Sequence, residues 1–180
     1  MSFVLPQHLT SDRDALVAEI HEAFRGVTRV GGRSWRAAYR SDYDGLAPDD
    51  RQLLEIPDND RSWEELAAGT AWDDDSLGGG GFSFLDAIGF RYYLPAAMVR
   101  SIQRGNSSNL ALKLTLPEPD THLHEHILHR LSLLNEEQCR VVANFLQFML
   151  TLDLHNGTSL EGSNWRIALN SHWAPFFRLR

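Results

Sequence analysis

Residues 135–154 constrain this chain more than any other stretch. Asn135 followed three residues later by Gln138 is a helix-capping pair, and Cys139, Val142, Ala143, Leu146, Met149 and Leu150 then recur at helical spacing. Val141, Phe145, Phe148 and Leu152 carry apolar surface most of the way round the same helix. A helix apolar on nearly every side has no face to give to water, so the rest of the chain must wrap around it. His155, Asn156 and Gly157 supply its stop.

The second organising stretch is residues 81–104. Asp86 can cap a helix carrying Ile88, Phe90, Tyr93 and Leu94, and Pro95 suits the first turn of another helix running through Ala96, Ala97, Met98, Val99 and Ile102. The pattern predicts two helical segments bent at Leu94 and Pro95, ending at Gly105 and packed against the 135–154 helix. Shorter helices are expected after Ser11 (Leu16, Val17, Ile20, Phe24), after Ser34 (Trp35, Ala38, Tyr39, with Arg33, Arg36 and Arg40 exposed) and after Ser62 (Trp63, Leu66). Two more are expected at residues 120–131 and at 163–173, the last burying Trp165, Ile167, Ala168 and Leu169. Residues 42–61 read as loop. Leu110, Leu112, Leu114 and Leu116 alternate with other residues, a period of two that suggests a short edge strand or extended connector. The glycine run 78–81 lacks the lysine of a phosphate loop and follows three aspartates, so it reads as a flexible surface linker. The expectation is a mainly α fold: one compact helical domain spanning residues 1–180, with six or seven helices and little or no β.

The sequence FLDAIGFRYYLPAAM at residues 84–98, with Trp63 before it and LNEEQ leading to Phe145 and Leu146 after it, resembles an uncharacterised bacterial family of small proteins. The shared pattern is a tryptophan, then FL-x-x-x-x-F-x-Y-Y-L-P-A, then an L-x-x-E-Q helix, and it covers roughly residues 62–149. The resemblance implies no activity. Similar small acidic proteins are often encoded beside toxins, which raises an immunity-type role by association only.

Charge narrows the function classes. The chain has 180 residues and a net charge of −7, but residues 42–75 hold twelve acids against Arg51 and Arg61, which leaves the rest of the chain positive. Arg25, Arg29, Arg33, Arg36 and Arg40 precede that run, and the two strips can neutralise one another on folding. The acidic total excludes a nucleic-acid binder, because phosphate neutralisation dominates such affinity. No apolar stretch reaches the ~20 residues a membrane crossing needs, so no membrane association is expected. The lone Cys139 excludes an intrachain disulfide framework and favours a reducing, cytoplasmic compartment.

Two constellations are candidates for function. The first is a protein-binding surface of Trp63, Trp72, Asp73, Asp74, Asp75, Arg91 and Tyr92, in which tyrosine, tryptophan and arginine give large contact area and the acids attract a basic partner. The competing reading makes Tyr92 and Tyr93 core aromatics and ties Arg91 to a carboxylate of the acidic run. The second is a histidine face: on a helix over residues 120–131, His122, His126 and His129 share one side and suggest part of a zinc site. Three ligands from two turns of one helix surround an ion poorly, and no HExxH spacing occurs. Cys139 lies on an apolar stripe and no G-x-S-x-G elbow exists, so no nucleophile is apparent. The leading expectation is therefore an acidic cytoplasmic protein-interaction module, possessing no cofactor, that binds a basic protein. The alternative is a metal-dependent or hydrolytic enzyme using the histidine face, and a third reading is a structural subunit of a larger assembly.

Overall fold

A computed structural model describes residues 7–35, 37–38, 62–69, 80–105 and 108–177. Among them are eight α-helices and no strand: α1 (Thr10–Ala23), α2 (Trp63–Ala68), α3 (Gly80–Phe84), α4 (Ala87–Arg104), α5 (Ser108–Leu114), α6 (His122–Leu131), α7 (Glu136–His155) and α8 (Asn164–Ala168). A 3-10 turn, Gln7–Leu9, leads into α1, and α8 runs on into a π-helical turn, Leu169–Trp173, and a 3-10 turn, Ala174–Phe176. The loop expected at residues 42–61, the helical positions Arg36, Tyr39 and Arg40, and Gly78 and Gly79 of the glycine run lie outside the described residues.

The full capping box forms at α7, where the Asn135 side chain accepts from the Gln138 amide and the Gln138 side chain accepts from that of Asn135. Val141, Val142, Ala143, Phe145 and Leu146 are fully buried along it. Around α7 pack α1, α8 and the C-terminal turns, while α4 packs on α1, α2 and α6. The two longest helices share α1 as a common neighbour and meet each other directly at Gln138. Gln138 joins all three: its Oε1 accepts from Arg91 Nε of α4 (3.0 Å), and its Nε2 donates to Ala23 O of α1 (2.9 Å).

Five local expectations are corrected. Residues 87–104 form one helix with Pro95 inside it, not a pair bent there. An interior proline costs about 3 kcal/mol, but every residue from 92 to 102 is buried, and packing on that scale outweighs one lost backbone bond. Gly105, at φ 70°, ends the helix in the left-handed region. The leucine alternation at 110–116 is helical as far as Leu114: Leu110, Ala111 and Leu114 are buried on one face while Leu112 is 55% exposed. Leucine is a strong helix former, and the period of two was a coincidence of composition. The glycine run also does more than link, because a Cβ on Gly81 would stand 2.5 Å from the Trp35 ring. Ile167, expected inside, is 46% exposed, and Ser11 lies within α1 with no side-chain cap.

Asp86 fixes how the N-terminal loop meets α4. Its carboxylate accepts from Gly89 N (2.7 Å) as the helix cap and from Arg33 N at 3.1 Å to both oxygens. Arg33 also donates from Nη1 to Phe84 O at 2.7 Å, so this arginine is part-buried where the sequence placed it in solvent. The approach is close enough that a Cβ on Gly89 would sit 2.5 Å from Arg33 O, and one on Gly32 2.5 Å from Ile88 Cγ2.

Candidate partner-binding groove

After α1 the chain turns through residues 26–32 to reach the close contact with α4. Gly26 (φ 69°) and Gly31 (φ 81°) take left-handed backbone that other residues rarely adopt, and Val30 between them projects with 87% of its surface exposed. This loop, the first turn of α2 and Tyr92 of α4 enclose an open groove of about 800 Å³. Tyr92 forms its floor. The Arg29 guanidinium stands over that ring, 6.0 Å from its centroid, and Nη1 donates to Gly32 O at 3.4 Å. Ser62 and Glu64 form the opposite wall; Ser62 Oγ accepts from Glu65 N at 3.3 Å, which starts α2 and sets the direction of Glu64.

Beneath this wall lies Trp63, fully buried, with Nε1 donating to Phe24 O (3.1 Å) and the ring stacked against His21 at 4.8 Å. Trp63 is therefore a core residue and not the surface contact suggested for it; a six-residue helix buries its one large aromatic to hold itself onto α1 and α4. Tyr92 is likewise only 3% exposed, packed edge to face on Tyr93, whose hydroxyl accepts from Trp35 N at 2.9 Å. It contributes to the groove as a floor and not as a projecting anchor. Arg91 is part-buried and bound to the Gln138 amide oxygen, where a carboxylate of the acidic run was expected. Trp72, Asp73, Asp74 and Asp75 lie outside the described residues.

Residues His122, His126 and His129 are all exposed on α6, with His126 Nε2 3.4 Å from Ser83 O. Among the described residues no three histidine, cysteine or acidic side chains come together as a metal site, so the shared helix face does not converge on a point. His124 turns away from that face and places Nδ1 2.7 Å from Pro117 O. The Cys139 thiol is pushed up by burial and then by the negative charge of Glu136, which suits a packed side chain and not a nucleophile. Burial lowers Arg130 to about 10; its Nη1 donates to Phe82 O and its guanidinium lies over the Phe90 ring at 5.5 Å. Neither group lines the groove.

Arg29, Glu64 and the glycine-flanked Val30 were not singled out from the sequence. The available signal was the pair of glycines either side of an arginine and a valine, which marks a turn but gives no hint of what faces it. A family model matches residues 12–176, and it is described as a family of unknown function (DUF6714). No curated protein and no solved structure matches the chain.

Proposed function

Because the chain belongs to the DUF6714 family, whose description transfers no activity, we propose from its own residues that it is a protein-interaction module that binds a basic partner. The observation that carries this reading is the charge of residues 42–75, twelve acids against two arginines, in a chain with only seventeen basic residues overall. Such a concentration of one sign raises the association rate with an oppositely charged protein and does little for fold stability. Ser62 and Glu64 of this run also wall the groove, so a partner drawn by the acids meets Val30 and the Arg29–Tyr92 pair at its base. Trp72 and Asp73, Asp74 and Asp75 complete the proposed surface. An immunity-type role, in which the basic partner is a toxin, fits the same chemistry. A reducing, cytoplasmic setting fits the single thiol, which is buried; among the described residues no helix is long and apolar enough to cross a membrane.

The test is affinity capture from lysate of the source cells at low and high salt, with the native chain and with the D73K/D74K/D75K variant. A basic protein retained by the native chain at low salt, and lost both in the variant and at high salt, is expected. Equal capture by the variant at low salt rejects the acidic surface.

A further inference from the structure

Contacts along α1 and α7 fix how the two helices run against each other. Gln138 Nε2 donates to Ala23 O at 2.9 Å, Asn144 Nδ2 donates to Glu19 Oε2 at 3.1 Å, and Thr151 and Asp12 line one groove between the helices. Positions fall along α1 as they rise along α7, so the pair is antiparallel and its register carries on to the open end. There the 3-10 turn before α1 places His8 beside His155, the last residue of α7, with ring centroids 5.8 Å apart and planes at 70°. Both residues are exposed. We propose that His8 and His155 form a two-histidine site for a zinc ion, which clips the N-terminal turn to the end of α7.

The spacing suits one ion. Imidazole nitrogen binds zinc at about 2.0–2.1 Å, which sets each ring centre about 3.2 Å from the metal, so two rings on one tetrahedral ion stand about 5 Å apart. The observed 5.8 Å is within about 1 Å of that value, a gap that side-chain rotation at two exposed positions closes. Charge favours a cation at the same place. His155 lies at the C-terminal, negative end of the longest helix, and Asp12 adds a carboxylate four residues after His8. Nitrogen donors select zinc and its transition-metal neighbours over calcium and magnesium, which take oxygen ligands. The ion's other positions face solvent and take water. On α6, His122, His126 and His129 share one helix, so zinc held there would join nothing; at His8 and His155 the ion joins two elements, and its binding adds to the stability of the fold.

Zinc chloride titrated into the full chain at about pH 7.5, followed through the NMR signals of the histidine rings, reads the site directly. The His8 and His155 rings should shift together and saturate at one ion per chain, and His8→Asn and His155→Asn should each weaken binding roughly tenfold or more. Saturating zinc should also raise the thermal midpoint of the native chain by several degrees and move that of either single variant by less than about 1 °C, while His122→Asn/His126→Asn keeps both responses. No shift at either ring up to about 1 mM zinc, responses unchanged in both single variants, or their loss in the α6 double variant overturns the site. The native-chain titration needs no substitution, so it decides even if a variant fails to fold.

Discussion

Replacing Gly89 by alanine sets two effects of opposite sign against each other. In an exposed helix interior the change stabilises, because glycine costs about 0.5–1 kcal/mol relative to alanine. Here the new Cβ would stand 2.5 Å from Arg33 O and 3.0 Å from both Asp86 Oδ1 and Leu85 Cδ2. The first neighbour is backbone, held by the two 3.1 Å contacts of Arg33 N with the Asp86 carboxylate and by Arg33 Nη1 on Phe84 O. Relief therefore requires the loop to lift. Overpacking costs about 1–3 kcal/mol, and hydrogen bonds to a charged group are worth about 1.5–3 kcal/mol. After the helix-propensity gain, Gly89→Ala should destabilise by about 2–4 kcal/mol, which for a chain of this size lowers Tm by roughly 5–15 °C. Urea unfolding should show a lower midpoint with an unchanged slope. Gly32→Ala presses on the same contact from the other side, 2.5 Å from Ile88 Cγ2 and 2.9 Å from Gly89 N. Once one substitution has lifted the loop the other meets less resistance, so the double variant should lose less than the sum of the singles. A neutral or stabilising Gly89→Ala, or strict additivity, would mean that the loop does not press on α4 at this contact.

Three further outcomes follow from the packing. Gln138→Leu leaves the Ala23 carbonyl without its partner and Arg91 Nε with only water; denaturant unfolding should register a loss of about 2–4 kcal/mol. Trp63→Phe removes the indole donor to Phe24 O and part of a fully buried ring, and should cost about 2–3 kcal/mol, whereas a surface tryptophan would change stability by less than about 0.5 kcal/mol. His172 has a folded pKa below its unfolded value, so the unfolded chain takes up its proton first as pH falls. Its stability contribution is complete above the unfolded value near 6.5, declines as pH falls from there, and is gone below the lowered folded value. Thermal melts across that range should show a decline that His172→Phe removes.

Much of the fold was legible because its signals are local. The Asn135 and Gln138 box, the Asp86 cap and the Ser62 cap depend on residues three apart, and α7 announces itself by burying nearly every side. Pro95 misled because a proline inside a helix looks like a boundary unless the burial of everything around it is known. The leucines at 110–116 misled for a related reason, since their alternation carries no record that Leu112 faces water. Interaction residues were least legible. Trp63 and Tyr92 have the chemistry of an interface, and only the fold reveals that one is covered by His21 and the other by Arg29. Conversely, the link from Ser171 to Leu116 spans fifty-five positions, a separation at which neither residue hints at the other.

The proposed function stands or falls on whether the acidic run of residues 42–75 meets a basic partner, and position 129 on the exposed histidine face of α6 is a control site outside that run. Site-specific photocrosslinking in the source cells tests it most directly, with the crosslinker placed at position 74 in one variant and at position 129 in another. A discrete crosslinked species that contains a basic protein and fades as salt is raised is expected from position 74, with none from position 129. A salt-insensitive species from position 129, with none from position 74, would contradict it.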